Sequence, residues 1–384
     1  MLRSTAMREP TVPPTRLLLV AALLLFLFPA SSAQTPQDQI SPEVEIYVLH
    51  ILDIMQHHAL HKKEIDWKKV TDETLARARQ AHSIRDSYPA IAYALTQLKE
   101  THSFLQLPES LSGDQEKATY ADIRRVLARP VSDRKPSPFS PSKEILGHID
   151  YRNGAAFAHV VVPSCAAKYA EWEKNAPDFQ RFADSLHATV LDLASQKPIG
   201  WIVDLRGNGG GNMWPMLAGI GALLGQGELG SFISADGDRD PWHYRDGQAG
   251  TVDTVLERTT QTPFLLPGTP FVAVLFDRGT ASSGEAIAIS FAGRPREKSF
   301  GEHTAGYSTA NEDYPLSDGA ILFLCNALEA DRTGRIYPDG LDPDVKIEEP
   351  KSRPPEDLDE AIRAAEEWLL EQSQMPSTVD ARLQ

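Results

Sequence analysis

Ile199-Gly-Trp-Ile-Val-Asp-Leu-Arg-Gly-Asn-Gly-Gly-Gly-Asn212 runs straight into the apolar stretch Met213–Leu224. The run to Leu205 has strand length and apolar content, the glycines break it, and 213–224 has helical length. The same order recurs at Phe271-Val-Ala-Val-Leu-Phe276, then Asp277-Arg-Gly-Thr-Ala-Ser-Ser-Gly-Glu285, then Ala286-Ile-Ala-Ile-Ser-Phe291. Ala156–Val162 reads as a further strand and Tyr169–Ser195 as an intervening helix. Strands alternating with helices predict an α/β layered fold.

On the N-terminal side, Val44, Tyr47, Val48, Ile51 and Ile54-Met55 recur at helical spacing, and Ala90–Leu98 continues the pattern, so Ser41–Leu107 reads as helical. Pro130, Pro136, Pro138 and Pro141 mark a linker or surface loop. On the C-terminal side, Ser308–Leu316 and Ala320–Leu328 read as a hairpin around Ser317-Asp318-Gly319, and Glu356–Gln374 as an acidic amphipathic helix.

Arg3, Arg8 and Arg16 precede the apolar run Leu17–Phe28 and the small-residue exit Pro29-Ala-Ser-Ser-Ala33. This is a secretory signal in outline, with cleavage after Ala33, and its apolar run is shorter than the roughly 20 residues that span a bilayer. An uncleaved anchor is the alternative. The expected organisation is a signal peptide at 1–33, a helical N-terminal subdomain at 34–107, a linker at 108–145, an α/β core at 146–350, and a C-terminal helix and tail at 351–384. The expected location is periplasmic or extracellular, with no stable membrane span after cleavage.

Charge narrows the partners. The 384 residues carry 38 Lys+Arg against 53 Asp+Glu, a net charge of −15, which argues against nucleic acid. Two cysteines exclude a disulfide scaffold and an all-cysteine zinc site, and export permits either a Cys165–Cys325 disulfide or two buried thiols. His57 and His61 have chelating spacing on a helix but lack a His-Glu-x-x-His pattern, and read as a solvated face. No metal or organic cofactor is expected.

Chemistry concentrates in the two loops. Gly209-Gly210-Gly211 can expose successive N–H groups to an anion or developing oxyanion, while the spacing of a dinucleotide fingerprint is absent. A serine at a strand-to-helix turn suits a nucleophile, yet Ser282 with Glu285 three residues later also reads as a helix capping box. Arg206 reads as a buttress of the glycine loop through an ion pair.

Asp204-Leu-Arg-Gly-Asn-Gly-Gly-Gly211, Thr280-Ala-Ser-Ser-Gly-Glu285 and Gly301-Glu-His-Thr-Ala-Gly306, in that order, resemble the tail-specific (C-terminal-processing) serine peptidase family. The resemblance runs from Asp66-Trp67 to Asp344 and is closer to the branch of the tricorn core and the interphotoreceptor retinoid-binding protein, without a PDZ domain. It implies a crotonase-like (ClpP/crotonase) α/β catalytic domain beneath a helical N-terminal subdomain. It makes Ser282 the nucleophile. Where many members carry a lysine base this chain has Tyr307, so the resemblance instead points to His102, in Glu100-Thr-His-Ser-Phe104, with Thr101 as the hydroxyl that orients it.

In this branch a glutamate precedes the motif that matches Gly340-Leu-Asp-Pro-Asp344; here Tyr337 stands there, leaving Asp339, Asp331 and Glu329 as candidate acid partners. The oxyanion donors implied are the N–H of Ser283 and that of Gly210 or Gly211. The expected function is an exported serine peptidase acting on a peptide or protein through an acyl-enzyme. The alternatives are a catalytically silent ligand- or peptide-binding protein on the same fold, and a hydrolase of non-peptide acyl groups. The sequence specifies no assembly state.

Overall fold

The computed structural model describes residues 40–108, 137–139, 144–165, 172–348, 350 and 352–374. The expected signal peptide, most of the expected linker including Pro130, Pro136 and Pro141, and the tail beyond 374 lie outside these residues.

Three helices open the described chain: α1 Pro42–His58, α2 Trp67–Ala78 and α3 Tyr88–Thr96. Ser41 Oγ accepts from Val44 N–H at 3.3 Å and Pro42 occupies the first turn, so the start of α1 is capped and φ is preset. Helix does not continue to Leu107. Glu100 Oε2 accepts from the N–H groups of His102 (2.5 Å) and Ser103 (3.0 Å), turning the chain into strand β1, Phe104–Gln106. Val48, Ile51, Ile91 and Leu95 share a core with Leu322 and Leu324 of the expected hairpin, which is formed.

Among the described residues thirteen strands make two sheets. The first holds β2 Leu146–Arg152, β3 Ala155–Val161, β4 Gly200–Asp204, β9 Val272–Phe276, β10 Glu297–Gly301 and β13 Val345–Lys346, in the order β13-β10-β9-β4-β3-β2. Every pairing is parallel except β2–β3. Every residue of β4 and β9 is buried, as expected for inner parallel strands covered on both faces. Helices α4 Trp172–Ser195, α5 Met213–Leu224 and α6 Ser283–Phe291 cover one face, where Leu186, Met216 and Ile287 meet Val160, Val203 and Val274. Helix α7, Glu360–Gln374, covers the other through Ile362, Ala365 and Leu369 against Phe157, Ile202 and Phe300. A Cβ at Gly200 would lie 2.7 Å from Leu369, so glycine permits this close approach.

The second sheet is antiparallel: β1, β5 Gly227–Ser234, β6 Arg239–Arg245, β7 Gln248–Thr251, β8 Val255–Arg258, β11 Thr309–Pro315 and β12 Ile321–Asp331. Its order is β1-β12-β5-β6-β7-β8, with β11 also on β12. The β5–β8 meander is absent from the sequence reading, because glycine and charge interrupt its apolar pattern. The fold is thus mixed α/β.

Topology positions the site. β4 and β9 are parallel neighbours, so the glycine loop after one and the serine loop after the other emerge side by side at the same end of the sheet. Strand C-termini of this kind are where open α/β sheets bind ligands.

Candidate active site

The two loops are knitted together. Asp277 Oδ1 accepts from the N–H groups of Gly207 and Gly279, both at 2.9 Å, and Thr280 Oγ1 donates to Leu205 O at 2.8 Å. Asn208 O accepts from Ala281 N–H at 2.9 Å, while its side chain donates to Val162 O at 3.0 Å and accepts from Gly210 N–H at 2.9 Å. Beneath them Arg206 lies within ion-pair distance of Asp204 (2.6 Å) and Asp359 (2.7 Å), all three buried, with Phe139 4.0 Å away over the guanidinium. This is the expected buttress, extended to the start of α7.

Ser282 stands at the N-cap of α6 with φ +53° and ψ −126°, a conformation that L-residues rarely adopt. The strain is held by Glu285, fully buried, whose carboxylate accepts from Ser282 N–H, Tyr307 N–H and Gly306 N–H at 2.8 Å and from Thr304 Oγ1 at 2.6 Å. Burial raises the Glu285 pKa, with these four bonds pulling the other way. The glutamate half of the capping box is therefore formed, while Glu285 N–H goes to the Ser282 carbonyl at 2.7 Å, and the same acid pins the 304–307 loop behind the serine.

Ser283 Oγ donates to Gly211 O at 2.5 Å, drawing the helix start against the glycine loop. A Cβ on Gly210 would come within 2.9 Å of Ser283 N and Ser282 Cβ, and φ there is +95°. Only glycine allows this approach. Gly210 N–H is committed to Asn208, whereas among the described residues the N–H groups of Ser283 and Gly211 have no hydrogen-bond partner. Of the two glycines, Gly211 is the one with a free donor.

His102 joins Ser282, Ser283 and Gly211 in the wall of one cavity of about 850 Å³. It arrives there from the other sheet. Ser103 Oγ accepts from Cys325 N–H at 2.8 Å and Asn311 Nδ2 donates to His102 O at 3.1 Å, bolting the turn to β12 and β11. The ring nitrogen Nδ1 lies 2.8 Å from Thr309 Oγ1, and the ring centroid 5.3 Å from that of Tyr307. Burial lowers the His102 pKa from 6.5 to about 4. Thr101, the hydroxyl expected on this histidine, is exposed; the hydroxyl found there is Thr309, which sequence proximity could not reveal. Among the described residues no hydrogen bond joins Ser282 to His102, as is common before substrate tightens such a pair.

Of the three candidate acids, only Glu329 lines the cavity. It is buried, Oε2 lacks a partner among the described residues, and burial, then the charge of Glu285, raises its pKa well above the ordinary value. Asp331 is occupied elsewhere, accepting from Thr333 N–H at 2.7 Å and Tyr337 OH at 2.7 Å. Asp339 is exposed and offers its backbone carbonyl to His303 Nε2 at 2.8 Å. The two cysteines are free, buried thiols, so of the two alternatives for them the structure has the unbonded one.

Among the described residues no helix is long and apolar enough to cross a membrane. Residues 172–347 match Peptidase family S41. The chain is 26% identical over 317 residues to the nisin-resistance protein of Lactococcus lactis, covering 82% of this chain and 86% of that one. It is 27% identical over 175 residues to a carboxy-terminal-processing protease of Bartonella bacilliformis, of which it covers 36%. Among solved structures, a lipoprotein from Streptococcus agalactiae superposes with a TM-score of 0.61 at 21% identity, over 91% of this chain and all of that one. A photosystem II D1 C-terminal processing protease superposes with a TM-score of 0.55 at 15% identity, over 79% and 93%. The two structures share the fold with this chain, and the span 172–347 that matches Peptidase family S41 holds both loops.

Proposed function

We propose that this protein is an exported serine peptidase that cleaves peptide bonds through an acyl-enzyme on Ser282, on a core of the crotonase type. The observation that carries the reading is the Ser282 elbow, beside two unpaired N–H groups and a histidine in one cavity. Ser282 Oγ attacks the scissile carbonyl, and His102 takes its proton. With Nδ1 against Thr309, Nε2 is the nitrogen left for the serine. Negative charge on the tetrahedral oxygen falls to Ser283 and Gly211 N–H, which need no reorganisation to receive it. The imidazolium then protonates the leaving amine, and water, deprotonated by the same histidine, releases the acid.

Burial keeps the His102 ring neutral and able to accept a proton at pH 7, at the cost of a weaker base than a solvated imidazole. Export rests on the basic residues and apolar run at Arg3–Phe28. One observation favours the silent-binding alternative: the group on His102 Nδ1 is a hydroxyl, not a carboxylate. A peptide library, with simple acyl esters in parallel, separates the readings. Peptide cleavage by wild type that Ser282→Ala abolishes is the expected result. Ester turnover without peptide cleavage identifies the acyl hydrolase, and saturable peptide binding without any turnover identifies the binding protein.

A further inference from the structure

On the α7 face of the first sheet, beneath the base of the glycine loop and outside the cavity, β2 and β3 bring His148, Asp150 and His159 together. His148 and His159 are direct partners across the antiparallel ladder, and Asp150 follows His148 by two residues, so all three side chains lie on one face. His148 Nε2 lies 3.0 Å from Asp150 Oδ1, and His159 Nδ1 lies 3.3 Å from Asp150 Oδ2. One ligand atom from each residue falls within 4.8 Å of the others.

We propose that these three residues bind a divalent transition-metal cation of the zinc class. Two imidazoles and a carboxylate are the donor set such ions prefer over calcium or magnesium. Tetrahedral bonds of about 2.0–2.1 Å separate neighbouring ligand atoms by about 3.3 Å, close to the 3.0 and 3.3 Å from the two histidines to the carboxylate, with all three ligand atoms within 4.8 Å before an ion draws them together. The cluster is open on one side: the His148 side chain is 35% exposed, Asp150 19% and His159 1%. Glu356 Oε2, 3.5 Å from His148 Nε2, stands at the open side as a fourth donor, a place water would otherwise take.

Behind the site the remaining nitrogen explains itself. His159 Nε2 is buried and has no hydrogen-bond partner among the described residues, yet it faces Asp204 Oδ2 at 3.6 Å. A carboxylate behind the distal nitrogen of a metal-bound histidine fixes its tautomer and strengthens its donation. Asp204 is also the residue that grips Arg206 at the base of the glycine loop, so the cation would brace the loop that carries Gly211.

Cobalt(II) serves as the probe, titrated into the metal-stripped protein and followed by its visible ligand-field absorption, with zinc as competitor. The expected result is one cobalt per chain with the intense bands of a four- or five-coordinate nitrogen–oxygen site, displaced by zinc. His148→Ala and Asp150→Asn, both at the open edge, should each weaken binding by about tenfold or more, in line with loss of a ligand or its support. A His57→Ala/His61→Ala variant should bind as wild type. Absence of saturable binding overturns the proposal, as does binding that survives both cluster variants or disappears with the His57/His61 pair. Circular dichroism of each variant confirms that a lost signal reflects the site and not the fold, and His148→Gln replaces His148→Ala should the latter unfold.

Discussion

Thr309 Oγ1 lies 2.8 Å from His102 Nδ1, across 207 positions of sequence. In the proposed mechanism this hydroxyl takes the place of the carboxylate of a Ser-His-Asp triad: it accepts from Nδ1–H, which leaves Nε2 bare, and it holds the ring. It does so without a negative charge to stabilise the imidazolium. Thr309→Val should therefore slow acylation on the order of tenfold, while Thr309→Ser stays near wild type. His102→Ala should cost more, roughly 10²–10⁴-fold, the usual range for a lost general base. Acylation rates of the three variants, measured with one activated ester, check the ordering.

Burial holds His102 at about 4, below its ordinary 6.5, with the Thr309 contact opposing. The ring is then neutral throughout the mildly acidic range, and in the proposed mechanism the acid limb of the acylation rate should fall near pH 4. Between pH 6.5 and 4 the unfolded chain binds a proton at this residue that the folded chain does not. Stability from His102 is thus present above 6.5 and declines as pH falls through that window. A pH–rate profile of acylation, beside melting temperatures over the same range, tests both. An acid limb near 6.5 would place the histidine in water.

Burial, then the neighbouring Glu285 charge, hold Glu329 well above the ordinary carboxyl range, which favours its protonated form. Glu329→Gln should then retain acylation activity. As the folded chain keeps a proton that the unfolded chain loses above its ordinary pKa, the glutamate lowers stability as pH rises, and Gln removes that loss. The melting-temperature gain of the variant should be larger at pH 8 than at pH 5. Loss of activity in Glu329→Gln would instead make it the charged acid partner.

Glu285 accepts four hydrogen bonds at the back of the Ser282 elbow. Glu285→Gln turns one acceptor into a donor, which faces either the N–H groups of both Ser282 and Tyr307 or that of Gly306. The expected cost is about 1–3 kcal/mol, the range for a buried unsatisfied group, together with slower acylation as the elbow relaxes. Denaturant unfolding and acylation of the same preparation report the two effects.

Much of the site is legible in the sequence because its loops are local. A strand, a glycine run and a helix within Ile199–Leu224 define the glycine-loop side, and Thr280–Glu285 defines the serine side. What escapes is whatever long-range pairing decides. Thr309 reaches His102 only because β1 and β11 both pair with β12, so the adjacent Thr101 looks the better choice in one dimension. Gly210 and Gly211 are chemically equivalent in the sequence, and separate only once Asn208 takes the Gly210 N–H. The β5–β8 meander is hard to read although Trp242 and Tyr244 alternate with polar residues, since glycine interrupts both flanking strands and β7 has only four residues. His148 and His159 stand eleven positions apart with no metal motif, and only the β2–β3 register makes them neighbours.

The central claim is that Ser282 is an activated nucleophile, and intact mass after treatment with a fluorophosphonate at pH 7–8 tests it most directly. The expected result is one adduct per chain on wild type, absent from Ser282→Ala and formed more slowly on His102→Ala. A wild-type chain that stays unmodified, or an adduct that persists in Ser282→Ala, would contradict it.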